Sequence, residues 1–564
     1  IVRKFVRTFI SNPDFVTKPK ADPTDTSRRR HFSDPATGMW LERAHERIAV
    51  KAYFCLFAFV GDSPERSRAS ATMQQNSHRP CSNCYVRDSH LRDLDFVVGA
   101  RTVKEHRFIV RKILEAPTTR LAKERKKRWS THPIECVLER WNFSETDWGN
   151  VYLACVADIL HVLDSGVPSH MADCFLEGKT KPELRELERR KKEYKKDTPS
   201  VILRIPGGSS FFRTGANYAA FEYRAMMQVM PMLIADRCVG CDTEGRLKRE
   251  REVLAFRLYA EFYKTLLGVQ RHTLGSLEEV KKQAVQLVEA LIAAFPNQSS
   301  EWQLPKIHSI VHNIDTIPLR GMPHHYSTEL WERTHKGTVK GPVRGGNWKD
   351  IPRRIVAEDM QREIAREIAA NAGGGREYVT ALREAVRHQE YRLTKRGKPM
   401  TPTVADDGLF QEYREVVGPD MDGLVGRIRA AGVDPSCISV HTAVAIPRSR
   451  GGELVEKAAF VKASPRENWF SDVAIMASRR EWYARTLLIF RGRKAEGGMG
   501  DFAFVKFYEV AGECPYTTCK ELRPGWSPLT HGVIELSSIK RLVHVCKSFT
   551  NPKVLLLNKF MLCE

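Results

Sequence analysis

Two pairs of residues in the sequence have the spacing of zinc ligands. Cys81 and Cys84 are separated by two residues, which lets two thiolates bind one ion. A structural zinc site needs four ligands, and a helix would place His308 and His312, four positions apart, on one face. The hypothesis is that these four residues form one Cys2His2 site for structural Zn²⁺. The alternative is a pair of reduced cysteines beside a sheet.

Asp62 is a candidate metal-binding carboxylate. It follows an apolar run at residues 52–60 that ends at Gly61 and Pro64, and a run this short predicts a buried strand. Active sites of open α/β sheets gather at the C-terminal ends of strands, which makes Asp62 a candidate for chemistry. An aspartate at a strand end is, however, more often a turn or capping residue.

A second acidic segment combines carboxylates with cations. If it is helical, one face carries Glu329, Glu332 and Lys336, and Lys340 and Arg344 follow at steps of four. The functional interpretation places a carboxylate beside phosphate-binding cations. The alternative is a solvated helix face that is stabilised by ion pairs.

The elements that would position these residues change in type along the chain. Asp158 and His161 lie in an apolar segment, 151–163, for which the periodicity predicts a helix with a core histidine. Helical patterns also cover 103–129, 221–234, 251–267 and 277–295. Beyond residue 438, short β-type runs predict a small barrel or sandwich, at 438–446, 455–462, 483–491, 503–510, 533–536, 541–545 and 554–557.

Composition favours a nucleic-acid partner. The net charge is +22, from 90 Lys and Arg against 68 Asp and Glu, and such a surplus favours polyanions because bound phosphates release counterions. No apolar run reaches the roughly 18 residues that a membrane span needs. The 13 cysteines are too sparse in 564 residues for a disulfide scaffold. The sequence lacks GxSxG and GxGxxG, which argues against an α/β-hydrolase, a kinase or a Rossmann enzyme.

The order of these motifs resembles the Plavaka group of transposases, within the wider CACTA and KDZ set. The resemblance covers about residues 35–370 and, more loosely, the tail. The segments that carry it are 58–65, 80–84, 158–167, 304–312 and 327–340, followed by 469–475, 482–484 and 533–536.

This resemblance implies an α/β ribonuclease-H-like core, interrupted by a helical insertion and followed by a small all-β C-terminal domain. It implies a DDE triad in which Asp62 is the second carboxylate and Glu332 the third, with Glu329 as the fallback. His161 matches the family's DxxH histidine, with a structural or transition-state-supporting role. The first Asp of the triad is missing, because Asp14, Asp22, Asp25 and Asp34 lie in polar, irregular sequence and not at predicted strand ends, so the core is expected to be incomplete at its N-terminus. The first residue, Ile1, likewise indicates a fragment or a mispredicted gene model.

The expected domain organisation follows from the same resemblance and from the change in pattern after about residue 395. A partial N-terminal segment of the core precedes the core itself, which carries the CxxC insert. The helical insertion, the final core helices, a linker and the β-rich domain follow. The expected bounds, in that order, are 1–48, 49–175, 176–300, 301–395, 396–437 and 438–564.

An intact member would cut and join DNA by metal-assisted phosphoryl transfer, with Mg²⁺ or Mn²⁺ between the carboxylates. Lys336, Lys340 and Arg344 would bind phosphates. The expected partners are transposon ends and target DNA, in the nucleus, with a homo-oligomer as the active form and no membrane. One alternative is a non-catalytic, domesticated DNA- or chromatin-binding protein. Another is a zinc-stabilised interaction scaffold without a nucleic-acid role.

Overall fold

The structure is a computed structural model in which the chain forms two compact units. One unit combines Ile1–Ile159 with Gln303–Thr328, and the other combines Leu160–Trp302 with Glu329–Glu564. The structure describes residues 39–42, 49–52, 58–329, 392–393, 398–399 and 411–561, apart from 74–76, 140–141, 143–148, 178, 198–211, 213–217, 236–242, 268–271, 324–326, 451–452, 466–468, 478–479, 525–529, 550 and 552–553.

The described helices fall into two groups, ten before residue 321 and two short ones after residue 410. In chain order they are α1 (Ser63–Ala69), α2 (Val103–Leu114), α3 (Thr119–Trp129), α4 (Gly166–Leu176), α5 (Lys181–Asp197), α6 (Ala220–Ile234), α7 (Thr243–Leu267), α8 (Leu274–Ala294), α9 (Pro305–Asp315), α10 (Ile317–Arg320), α11 (Gln411–Val417) and α12 (Leu424–Ala430).

The described strands are few and short in the first unit and dense after residue 430. They are β1 (Met39–Glu42), β2 (Ala49–Ala52), β3 (Phe59–Gly61), β4 (Cys155–Ala157), β5 (Arg392–Leu393), β6 (Lys398–Pro399), β7 (Val433–His441), β8 (Ala443–Arg450), β9 (Glu453–Ser464), β10 (Trp469–Phe470), β11 (Asp472–Ala477), β12 (Arg480–Lys494), β13 (Met499–Glu513), β14 (Lys520–Pro524), β15 (His531–Glu535), β16 (Ile539–Val543), β17 (Val545–Lys547) and β18 (Leu555–Leu557).

The first unit contains a pair of parallel strands that end at the same edge. In β3 and β4, Phe59 lies opposite Cys155, and Gly61 lies opposite Ala157. Because paired parallel strands share one direction, the residues that follow them lie side by side. A core cluster beside this pair buries Ala69, Val103, Cys136, Leu138, Val151, Tyr152 and Cys155.

The prediction of a helix at residues 151–163 was wrong. The segment forms a turn, then β4, and then a π-helical turn at Leu160–Asp164. A short, fully buried apolar run has no polar face, so periodicity alone cannot separate a helix from a strand. Pairing with β3 selects the strand. The run at 52–60 is described only at its ends, which lie in β2 and β3.

Helices α4 to α8 form the helical part of the second unit. The structure confirms the helices expected at 221–234, 251–267 and 277–295, with bounds wider by up to eight residues, as α6, α7 and α8. Helix α7 packs against both α6 and α8. A chain of aromatic contacts crosses this core: Phe175 and Phe256 are 5.4 Å apart between ring centroids, and Phe256 and Phe295 are 6.3 Å apart.

Antiparallel strands form the β-rich part of the second unit. A four-stranded sheet has the order β10-β9-β8-β5, and a ten-stranded sheet has the main order β16-β11-β12-β13-β14-β18-β17. Side chains from both sheets share one core cluster, to which β8 contributes Val444 and β13 contributes Val505. The β-rich part, predicted to be a small barrel or sandwich, thus contains two antiparallel sheets that share an apolar core. Each predicted β-type run contains a strand, and the structure adds β10, β11 and β14.

The range 396–437 was expected to be a linker, but its described part is packed structure. Helices α11 and α12 bury Tyr413, Leu424 and Ile428 in a cluster with Phe490 and Phe504 of the ten-stranded sheet. Each helix has only seven residues. Helical periodicity needs a longer window, so the sequence pattern could not distinguish these helices from a loop.

The helical and β-rich parts of the second unit are joined by polar contacts, some of them buried. Asn558 Nδ2 donates to Tyr194 Oη at 2.8 Å and to the Gln228 carbonyl at 3.3 Å. Lys559 Nζ forms an ion pair with Glu261 at 2.8 Å. The two parts therefore share one compact unit. Among the described residues, no helix combines the length and the apolarity that a bilayer crossing requires.

Candidate metal centre

Four side chains converge at one point in the first unit. Cys81, Cys84, His308 and His312 each offer a ligand atom, and these atoms all lie within 4.8 Å of one another. Cys84 Sγ is 3.2 Å from His308 Nε2, which is 3.1 Å from His312 Nε2. Ligand atoms of tetrahedral zinc lie about 3.3–3.8 Å apart when the bonds have ordinary lengths. The four residues could therefore bind a metal ion such as zinc, as their spacing predicted.

Of the two thiols, the electrostatics favour the ionised form of Cys81 and the protonated form of Cys84. Burial opposes ionisation of Cys81, but a hydrogen bond from Cys84 and the neighbouring His312 hold the pKa of the Cys81 thiol well below its ordinary value. Burial lowers the pKa of His312, and the Cys81 thiolate overcomes this and raises it. The hydrogen bond to Cys81 raises the pKa of the Cys84 thiol. A metal ion would displace the protons that Cys84 and His312 retain.

The CxxC turn is held by residues that do not themselves contact the ion position. The Asn83 amide donates to the carbonyl oxygens of Tyr152, at 2.7 Å, and Cys155, at 2.9 Å. The Asn83 backbone N–H donates to Cys81 Sγ at 3.3 Å. These bonds fix the turn against β4, and partners of this kind orient ligands in metal sites.

Arg101 secures the same turn from its other side. Its Nε donates to the carbonyl oxygens of Cys81, at 2.9 Å, and Cys84, at 3.1 Å. Its guanidinium lies 4.5 Å from the ring centroid of Tyr85. Arg101 is fully buried, so the turn is held by a charged donor away from solvent.

Helix α9 delivers the two histidines. Pro305 stands at its first turn, where a missing N–H costs nothing, and Ile307 and Ile310 are fully buried. Just before the helix, Gln303 Nε2 donates to the Ser89 carbonyl at 2.8 Å, and the Arg92 N–H donates to Gln303 Oε1 at 3.1 Å. These bonds tie the start of α9 to the segment that follows the CxxC turn.

The candidate catalytic residue Asp62 caps a helix. It follows β3 directly, is half-buried, and its Oδ1 accepts a bond from the Glu65 N–H at 3.0 Å at the start of α1. A Cβ at Gly61 would lie 3.1 Å from the Glu65 Cβ, which explains why glycine precedes Asp62. Capping uses one carboxylate oxygen and is compatible with a further role for the other.

Asp158 follows β4 as Asp62 follows β3, so the two carboxylates stand after paired positions of parallel strands. Asp158 is buried, and its oxygens accept bonds from the N–H of Thr328, at 3.0 Å, and from its hydroxyl. The segment before Glu332 is thereby tied to the strand edge that carries Asp62.

In the second unit, a buried ion pair holds Glu329. Asp164 is 1% exposed, and it accepts from Arg224 Nε at 2.9 Å and from Tyr263 Oη at 2.6 Å. Arg224 also forms an ion pair with Glu329 at 2.9 Å. Burial raises the pKa of Asp164 despite the opposing effect of Arg224. Glu329 is thus engaged by a cation of the helical part.

Of the other predicted site residues, His161 is described and the rest are not. His161 is half-buried in the π-helical turn of the second unit. Glu332, Lys336, Lys340 and Arg344 lie outside the described residues.

Sequence reasoning did not identify the residues that support the site. Asp158 was assigned to a helix, because β4 was not recognised. Asn83 and Arg101 gave no signal, because their bonds are made to backbone carbonyls of residues distant in sequence.

No protein-family model matches the chain, and the comparison with curated proteins also gave no match.

Proposed function

We propose that the chain is a transposon-derived, DNA-binding protein related to the DDE transposases, with a ribonuclease-H-like core in its first unit. The proposal rests on the motif order in the sequence and on one observation. The backbone that leads to Glu332 is bonded through Thr328 to Asp158, beside the strand end that carries Asp62. In a DDE site with a long insertion, the third carboxylate follows the insertion in sequence and must lie beside the same strand edge.

The charge of the chain supports DNA as the partner. A net charge of +22 favours a polyanion, and the nucleus is the compartment that this function requires. The active form is proposed to be a homo-oligomer, since two transposon ends must be held together.

Divalent Mg²⁺ or Mn²⁺ is part of the proposal on the strength of the resemblance. When bound between carboxylates, such an ion stabilises the charge of phosphoryl transfer. Among the described residues, Asp62 alone stands at the strand edge with an oxygen not used in a reported bond, since Thr328 engages Asp158. The described residues therefore do not complete a magnesium site.

A second candidate function is a non-catalytic DNA-binding protein. The observation that favours it is the structural use of both strand-end carboxylates, because Asp62 caps α1 and Asp158 holds Thr328. In this case zinc would stabilise a DNA-binding scaffold, and the strand-end carboxylates would serve structure alone.

A DNA cleavage and strand-transfer assay tests the proposal. The chain would be compared with Asp62→Asn and Glu332→Gln in Mg²⁺ and in Mn²⁺, and binding to duplex DNA would be measured over a range of salt concentrations. Cleavage that both substitutions abolish supports the catalytic form. Salt-dependent binding without cleavage supports the second candidate. Binding that is absent, or indifferent to salt, overturns both.

A further inference from the structure

Helices α2 and α3 form a strongly basic hairpin in the first unit. Residues 103–129 contain ten Lys and Arg against three Glu, a net charge of +7 out of +22 for the chain. Arg125 donates to the Lys112 carbonyl at the end of α2 and so links the two helices. About one third of the excess charge is therefore concentrated in one small element.

Apart from the bond from Arg125, the hairpin is packed by side chains other than its cations. Helix α2 buries one face through Val103, His106, Ile109 and Ile113, at helical spacing. Helix α3 has no buried residue, and its ends are closed by the Thr118 hydroxyl and by local bonds at its C-terminus. Arg111, Lys123 and Lys127 are exposed and take no part in this packing.

Comparison with α5 shows that charge density alone does not leave cations free. In α5, Arg189 and Arg190 both pair with Glu186, at 2.8 and 2.7 Å, and Lys191 pairs with Glu188 at 2.6 Å. In the hairpin, Arg111, Lys123 and Lys127 are exposed and form no ion pair with any described residue. Five acidic residues offset eight cations in α5, whereas only three offset ten in the hairpin, so the hairpin keeps the larger excess of positive charge.

The aromatic residues of the hairpin do not form a platform for stacking bases. The Trp129 ring lies under Arg79 and Arg128, at 5.3 and 5.8 Å, and meets Tyr85 edge-on. Lys112 Nζ lies 5.7 Å from the Phe108 ring. Single-strand binding depends on free aromatic faces, so the hairpin suits a phosphate backbone better.

We propose that the α2–α3 hairpin binds the sugar-phosphate backbone of duplex DNA, without reading its sequence, through Arg111, Lys123 and Lys127. Lys123 and Lys127 are one helical turn apart on the exposed side of α3, so they can bind phosphates along one strand. This inference rests on the proposed function, because it assigns a surface to the DNA contact assumed there.

Two matched triple variants of the full chain test it. The hairpin variant carries Arg111→Gln, Lys123→Gln and Lys127→Gln. The control carries Lys181→Gln, Arg185→Gln and Lys192→Gln, three exposed cations of α5. Glutamine is a good helix former, and each triple removes the same charge. Circular dichroism melting verifies that both variants fold.

Binding would be measured with labelled duplex DNA of random sequence, and with single-stranded RNA of equal length, across a potassium chloride series. The hairpin variant is expected to lower the slope of log affinity against log salt by about three, because each phosphate contact contributes about one. Its affinity for duplex DNA should fall at least about tenfold. The control should change the slope by less than about one.

Each other outcome is decisive. If wild type binds DNA with salt dependence and the hairpin variant matches it, the inference is overturned and the proposed function stands. Equal losses in the two triples would assign binding to net charge and overturn it as well. Tighter binding to RNA than to duplex DNA would contradict the choice of partner. If wild type binds neither, the proposed function itself has failed.

Discussion

At the scale of single residues, the cysteine and histidine cluster depends both on the four ligands and on the residues that hold them in place. The ligand atoms of Cys81, Cys84, His308 and His312 lie within 4.8 Å of one another, while Asn83 and Arg101 hold the backbone that carries the cysteines. A thiolate cannot be exchanged for a hydroxyl here, because oxygen is a far weaker ligand for zinc than ionised sulfur.

Replacing one ligand should abolish zinc retention. Cys84→Ser is expected to weaken zinc binding by more than about 100-fold, beyond the loss typical of an outer-shell partner. The measurement is zinc per chain after dialysis, with about one equivalent expected for wild type. Cys136→Ser is the control, since Cys136 is also buried in this unit but its thiol donates to the Ala69 carbonyl. Equal zinc content in Cys84→Ser and wild type would refute the site.

His544 should make the second unit sensitive to mild acid. Burial lowers the pKa of His544 to about 4, against about 6.5 in the unfolded chain. The folded state therefore binds fewer protons between these values. The stability that neutral His544 contributes is complete above pH 6.5 and is lost as the pH falls toward 4.

Between pH 7 and pH 5, this residue should lower the free energy of unfolding by about 2 kcal/mol. Urea unfolding of His544→Gln at the two pH values should show a correspondingly smaller loss. His78→Gln is the control, since the His78 side chain is 67% exposed. An identical pH dependence for wild type and His544→Gln would contradict the assignment.

Residue types and spacing predicted the four metal-site residues because zinc chemistry restricts both. They did not predict which residues support the site. The contacts of Asn83 and Arg101 are hydrogen bonds to backbone carbonyls, which any residue supplies. The identity of the accepting residue therefore does not reveal such a contact.

At the scale of elements, an ion-pair network holds the segment that begins at Glu329 against the helical part. Arg224 of α6 contacts Asp164, which follows β4 by one turn, and Glu329, which begins the next segment. An ion pair in which Asp164 is 1% exposed is costly to break, because one charge is left buried and unpaired.

Arg224→Met should destabilise the second unit by about 3–5 kcal/mol. Adding Asp164→Asn to Arg224→Met should recover part of this loss, because the uncompensated charge is removed. Urea unfolding of the two single variants and the double variant measures the coupling. Strict additivity of the two substitutions would show that the residues do not interact.

Elements were predicted well where they are long or have one apolar face, and poorly where they are short and fully buried. Helices α7 and α8 have polar and apolar faces, and the β-type runs alternate with turns. Helix α6 is buried over most of its length, but its 15 residues are too long for a typical strand. Strand β4 has neither signal, because all three of its residues are buried. Helices α11 and α12 are each shorter than the window that periodicity needs.

At the scale of the whole molecule, the chain forms two compact units from interleaved segments. The first unit is closed by α9, which returns after the helical part, and its closure coincides with the metal cluster. The second unit joins the helical and β-rich parts through contacts such as that of Asn558 with Tyr194. A bound metal ion should therefore stabilise the first unit selectively.

Zinc chelation should loosen the first unit and spare the second. Hydrogen exchange is expected to accelerate in α9 and around the CxxC turn on addition of a chelator, because binding energy that favours the folded state is withdrawn. Exchange in β12 and β13 should remain unchanged, and added zinc should restore protection in α9. Uniform acceleration in both units would contradict a local role for the metal.

The separation of the ligands along the chain has a consequence during protein synthesis. Cys84 and His308 are 224 residues apart, so the ribosome releases the thiols long before the imidazoles. At about 5–20 residues per second, the interval is roughly 10–45 seconds. Throughout it, the nascent CxxC turn presents two thiols with only half of a coordination sphere. In that interval, formation of a disulfide between Cys81 and Cys84, or binding of another metal, competes with correct assembly. The yield of folded protein should therefore depend on the redox state and the zinc supply of the translating cell.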